Sequence, residues 1–202
     1  MTDPRTNAQS KTTKHPDPLL NWNQRVDTCI SCSLSENCNR RIGIRRSHPN
    51  YLDHPTLDLL FVGEAPSSQD YVLRSPFSGP AGHELSELLE ESLNPSLTYA
   101  LTNAVHCTPF IDSSRLNVRT PALPEITACR THLQALIDIL KPRHIIALGK
   151  VAEKSLKKIA PAIPWNVLTH PEDILASKQP DLERARFTLA IESISEALLN
   201  DR

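Results

Sequence analysis

The sequence predicts a three-layer α/β/α sandwich around a four-stranded parallel sheet, and three observations carry that expectation. Leu59 to Val62 is a short unbroken apolar run, the pattern of a strand buried on both faces. Helical stripes of apolar residues alternate with such runs along the chain. A chain of 202 residues, 39% hydrophobic and 22% charged, is long enough for one sizeable core with appendages.

Taken in order, residues 1–19 are polar and proline-dotted, and read as a disordered tail ahead of a single domain over 20–202. Trp22 to Cys38 reads as a short helix or turn carrying the first cysteines. Residues 39–57 form a loop with Arg40, Arg41, Arg45 and Arg46, either a solvated run or a phosphate contact. The first core strand stops at Gly63 and Pro66, which end pairing. Gly79 to Gly82 opens a helix with Leu85, Leu88, Leu89 and Leu93 on one stripe. Tyr99 to Val105 is the second strand, 108–121 a proline-bracketed loop, and Pro124 to Leu140 a strong helix. His144 to Gly149 is the third strand, followed by a lysine-rich helix from Val151 to Ile159. Asn166 to Thr169 is the fourth, and a last helix runs from Asp181 to Leu199.

Net charge is −1, so no global basic field marks a nucleic-acid binder, and any such contact must be local. No apolar run reaches membrane-spanning length and no signal-peptide core opens the chain; a cytoplasmic protein without a membrane partner is expected. Five cysteines in that setting fit metal ligation better than disulfides. Cys29 and Cys32 form a C-x-x-C, Cys107 and Cys129 lie far downstream, and Cys38 is left over. Zinc and an iron–sulfur cluster are equal candidates on spacing alone.

Ligands of open α/β sheets bind beyond the carboxyl ends of the strands. There the chain places Glu64, Asp70 and Phe77 after the first core strand, Asn103 after the second, and His170 after the fourth. Each has a structural reading too: surface acids at a strand exit, a core phenylalanine, a turn asparagine, a locally bonded histidine. Their joint placement at one rim is the informative feature.

The order Gly63-Glu64-Ala65-Pro66, Pro76-Phe77-x-Gly79, Thr102-Asn103-x-Val105-x-Cys107-x-Pro109, Leu148-Gly149 and Thr169-His170-Pro171 resembles the iron–sulfur, family 4 branch of the uracil-DNA glycosylase superfamily. The resemblance runs from about Cys29 to Leu199. It implies hydrolysis of the N-glycosidic bond of uracil in DNA, the first step of base excision repair, by a monomer acting on uracil-containing DNA. It implies that Phe77 stacks on the extruded base, Asn103 reads the uracil edge and His170 stabilises the leaving group near O2. Glu64 and the backbone of Ala65 match the segment that contacts water and base, and Asp70 matches a pocket residue near C5. Cys29, Cys32, Cys107 and Cys129 match the ligands of a [4Fe–4S] cluster, leaving Cys38 as either a free thiol or a substitute for a neighbouring ligand. Arg40, Arg41, Lys150 and the loop after His170 are candidates for phosphate contact.

The chain departs from the family pattern at Ser67, where Gly is usual, at Asp70 for Glu and at Tyr71 for Asp. It departs again at Arg74-Ser75, and its segment between Cys107 and Cys129 is longer. These changes surround the pocket, and they motivate two alternatives: a catalytically weak DNA- or partner-binding homologue, and a glycosylase for other deaminated bases.

Overall fold

A computed structural model describes residues 17–46 and 57–202. The tail expected over 1–16 and the stretch 47–56 of the basic loop lie outside the described residues. In chain order the elements are α1 (Pro18–Asp27), α2 (Leu34–Asn37), β1 (Arg45–Arg46), β2 (Leu59–Gly63), α3 (Ser68–Leu73), α4 (Pro80–Ser92) and β3 (Tyr99–Asn103). There follow α5 (Leu123–Leu140), β4 (His144–Leu148), α6 (Gly149–Ile159), β5 (Trp165–Leu168), α7 (Pro171–Leu175) and α8 (Pro180–Asn200). Helix α1 begins at Pro18, capped by the Asp17 carboxylate accepting from the Leu19 N–H at 2.9 Å, so Pro18 and Leu19 belong to it rather than to a tail.

The sheet order is β1-β3-β2-β4-β5. The four expected strands are parallel, and β1 adds a two-residue antiparallel edge to β3. β2 is buried at all five residues because helices cover both of its faces. Alternation decides which residue meets which layer. Leu60 and Val62 pack with Trp22 and Val26 of α1, Leu133 and Leu136 of α5, and Leu156 of α6. Leu59 and Phe61 point the other way, against Leu85 and Leu88 of α4, Ile174 of α7, and Phe187 and Ile191 of α8. Burying each of these large side chains is worth about 1.5–3 kcal/mol.

Three elements go beyond what the sequence pattern predicts. β1 lies in the basic loop, and α3 and α7 lie at strand exits that read as loops; the last two bring residues to the rim where the parallel strands end. Among the described residues no helix is long and apolar enough to cross a membrane.

Candidate active site

β2 and β3 run in register, Gly63 opposite Asn103. Beyond them the chains stay paired for one more step, with Ala104 N–H donating to Gly63 O at 2.9 Å and Val105 N–H to Glu64 O at 3.0 Å. A Cβ on Gly63 would fall 2.5 Å from Asn103 Oδ1 and 2.6 Å from Phe77 Cζ. Glycine is therefore what lets the asparagine amide and the phenylalanine ring converge.

Around that point lies a cavity of about 160 Å³, walled by Ala65, Asp70, Phe77, Asn103, His170 and Glu172 among others. Five of the six residues expected at the base pocket thus meet in one place. Glu64 is half-buried beside them but does not line the cavity. Burial pushes its carboxyl up, a Thr120 hydrogen bond opposes this, and Glu172 and Asp173 reinforce the rise.

Phe77 is buried and holds φ = +57°, a left-handed conformation costly for any residue but glycine. Clamps on both sides sustain it. Asp70 Oδ1 accepts from Ser78 N–H at 2.6 Å, and Arg45 Nη1–H donates to Phe77 O at 3.1 Å. Asp70 Oδ2 accepts from Ser67 N–H at 2.9 Å while Ser67 Oγ accepts from Asp70 N–H at 3.1 Å, a reciprocal capping box that starts α3. Both oxygens of Asp70 are thus spent on backbone amides. Although the residue lines the cavity, its carboxylate shapes the loop that carries Phe77. Ser67 sits at φ = −75°, extended backbone that makes no demand for glycine.

Asn103 is 2% exposed, and its Nδ2 has no hydrogen-bond partner among the described residues. An unpaired buried amide costs about 1–3 kcal/mol and calls for a ligand. His170 caps α7, its Nδ1 accepting from Glu172 N–H at 3.2 Å. The neutral ring then carries its proton on Nε2. Burial pushes its pKa below the ordinary imidazole value, against the pull of Glu172 and Asp173.

Sequence reasoning misses Glu172 as a pocket residue. The signal is there: Pro171 after His170 is a helix-starting residue, and residues three apart on a helix share a face. Glu172 and Leu175 both line the cavity.

The uracil DNA glycosylase superfamily model matches residues 49–193, nearly three-quarters of the chain. The chain belongs to that superfamily. It is 36% identical over 139 residues to a type-4 uracil-DNA glycosylase of Sulfurisphaera tokodaii, covering 68% of this chain and 57% of that one. It is 39% identical over 103 residues to one of Pyrobaculum aerophilum, 51% and 50% of the two chains. A third, from Thermotoga maritima, is 36% identical over 129 residues, 64% and 60% of the two chains. The chain thus spans between 50% and 60% of the length of these relatives.

In this superfamily member a second cavity opens close behind the base pocket. Cys29, Cys32, Cys107 and Cys129 all line it, together with Arg41 and His106. These residues come from the segment after α1, the exit of β3 and the second turn of α5. Cys38 is buried but does not line the cavity; its thiol donates to Arg40 O at 3.0 Å and bonds the Cys107 thiol. Burial, with the other cysteines adding to it, pushes the Cys129 thiol up to about 12. His106 N–H donates to Cys129 Sγ at 3.4 Å. Nδ1 of His106 faces the Ile42 carbonyl at 3.2 Å and so carries the ring proton, while its Nε2 and the Nε of Arg41 lack partners among the described residues. No three His, Cys, Asp or Glu side chains among the described residues are grouped closely enough for a single metal ion.

Proposed function

We propose that this chain hydrolyses the N-glycosidic bond of uracil in DNA. The observation that carries the reading is the buried Nδ2 of Asn103, without a partner among the described residues, at a cavity walled by Phe77. Extruding a nucleotide from the stack costs a few kcal/mol. Stacking on the Phe77 face returns about 1–3 kcal/mol of that. Asn103 Nδ2–H then donates to uracil O4, and its Oδ1 accepts from N3–H. Cytosine presents a donor at the first position and a bare nitrogen at the second, leaving both groups unpaired at about 1–3 kcal/mol each.

As the bond breaks, negative charge gathers on the base and an oxocarbenium-like sugar forms. His170, neutral with its proton on Nε2, supplies a fixed donor toward O2. Such donors are worth about 3–4 kcal/mol, because they strengthen as the charge develops. Ala65 places no carboxylate at its own position in the pocket wall, and Glu64 beside it is the candidate for orienting water. Asp70 acts by holding Phe77 in place.

Cys29, Cys32, Cys107 and Cys129 form a donor set that fits a [4Fe–4S] cluster. Four thiols around a cavity, an unpaired guanidinium N–H and an amide bond to a sulfur suit an anionic sulfur-rich group. A single zinc needs four sulfurs all about 2.3 Å from one point, and no such grouping is present among the described residues. When bound, the cluster supplies iron–thiolate bonds that tie the N-terminal segment to β3 and α5.

The test is single-turnover uracil release by cluster-containing protein on single-stranded and mismatched uracil oligonucleotides. Wild type releases uracil, and His170→Ala slows release roughly 100-fold with DNA binding intact. Absence of release by wild type with its cluster spectrum intact overturns the reading, and a panel of other deaminated bases then decides the substrate.

A further inference from the structure

Among the described residues, some arginines pair with a carboxylate and others do not. Arg119, Arg143, Arg184, Arg186 and Arg202 each pair with a carboxylate. Arg25, Arg130 and five others make no such pair among the described residues, and those five, Arg40, Arg41, Arg45, Arg74 and Arg115, gather around α3 and the Phe77 loop. Arg40, Arg41 and Arg74 line an open groove together with Asn23, Asn39 and one acid, Asp27. Arg40 and Arg115 both lie over the Tyr71 ring, their guanidinium carbons 5.4 and 5.3 Å from its centre. Arg115 also donates to the Tyr71 hydroxyl at 2.8 Å. Arg41 Nη2–H donates to Cys29 O at 2.7 Å, and Arg45 holds the Phe77 carbonyl. Arg74 is exposed and caps α3 three residues before Phe77.

Guanidiniums stay charged at any ordinary pH, and gathering three of them around a single acid costs repulsion. Their anchors here are an aromatic face and backbone carbonyls, which fix position without cancelling charge. On a chain of net charge −1 this is a local concentration of positive charge that the global balance conceals. The flat fork of each guanidinium matches phosphate oxygens. The groove also starts beside the residue that would stack on the target base.

We propose that the groove lined by Arg40, Arg41 and Arg74 receives the phosphodiester backbone of the DNA strand carrying that base. The proposal rests on the reading of the pocket, and its test is chosen to be separable from it. A fluorescent oligothymidylate, which contains no uracil, is titrated with cluster-containing wild type, Arg40→Gln, Arg74→Gln and the double variant across a range of salt. Arg186→Gln, whose arginine is ion-paired on α8, is the control.

The expected result is a fall of about 0.7 in the slope of log affinity against log salt for each phosphate of the single strand left without its arginine. The double variant then shows about twice that fall. Arg186→Gln leaves the slope unchanged, and Arg74→Lys restores most of it. Arg74 is exposed and outside the core, so its variant remains informative if Arg40→Gln disturbs the Tyr71 stack. An unchanged slope in folded Arg74→Gln and the double variant overturns the proposal. An equal fall in Arg186→Gln does the same, since it would report general charge. Wild type that binds through these arginines yet releases no uracil leaves the groove standing and removes the reading of the pocket.

Discussion

The base pocket and the cysteine cavity sit at the two ends of one five-residue segment, Asn103 to Cys107, and they are unfinished in different ways. Around the pocket most polar groups are already satisfied. Asp70 spends both oxygens on backbone amides, Nδ1 of His170 caps α7, and the Asn103 amide nitrogen is left over. Four thiols line the cavity, and Arg41 Nε and His106 Nε2 both lack partners among the described residues. A site that must bind and release its ligand is pre-organised by the protein itself, with few groups held in reserve. A site for a resident group leaves many contacts to that group and depends on it for stability. Damage to the first should appear in rate, and damage to the second in folding.

The largest expected effect breaks the second region. Cys129→Ser removes a buried thiol from α5, and chelation of the metal has the same result. The cluster absorbance disappears and thermal stability falls by several kcal/mol, because metal binding is linked to folding. Calorimetry with an iron assay checks this. Stability unchanged in cluster-free protein would show that the cavity is held together by the chain alone.

Next comes a change that breaks only the first region. Gly63→Ala places a methyl into Asn103 Oδ1 and Phe77 Cζ at once. The expected cost is about 1–3 kcal/mol of overpacking, with uracil release severely reduced and iron content at the wild-type level. Release at the wild-type rate would mean that the asparagine and phenylalanine need not converge for catalysis.

These two regions are unequally legible in the sequence. Leu59 to Val62 and His144 to Leu148 announce themselves because a strand buried on both faces must be apolar throughout, and alternation then sorts Leu60 from Phe61 between the layers. The spacing of the cysteines and the strand-end positions of Asn103 and His170 are equally readable. What stays hidden is short or conformational. α3 and α7, at six and five residues, are too brief for a helical stripe. The left-handed Phe77 has no residue-type signature, so neither the clamp role of Asp70 nor the pocket position of Glu172 is visible before the loops are folded. The departures at Ser67 and Asp70 look like threats to the pocket when read from the sequence. In the structure they form one capping box.

A pH series sharpens the contrast further. The imidazole of His170 is held below its ordinary value by burial, so the folded state takes up a proton less readily than the unfolded chain. The stability tied to this group is therefore fully present above the ordinary value of about 6.5 and is lost as pH falls from there toward the depressed value. Protonation of Nδ1 also turns the acceptor of the Glu172 N–H into a donor and opens the cap of α7. Release should stay level through neutral pH and decline on the acid side, and His170→Asn should remove that portion of the decline in stability. A wild-type melt with the same acid slope as His170→Asn would exclude this histidine as its source.

The smallest expected effect addresses Ser67, one of the positions where the sequence departs from the pattern it resembles. Ser67 caps α3 through its hydroxyl, at a backbone angle open to any residue. Replacing Ser by Gly at a helix N-cap costs only a few tenths of a kcal/mol. The other half of the box survives, because Asp70 Oδ2 accepts from the backbone N–H of residue 67 and not from its side chain. Ser67→Gly should therefore leave the Phe77 loop in place, lower stability within that margin and change uracil release by less than about twofold. Single-turnover release beside a thermal melt measures both. A large gain in release would show instead that the serine, which lines the cavity, obstructs the base, and that the departure slows release.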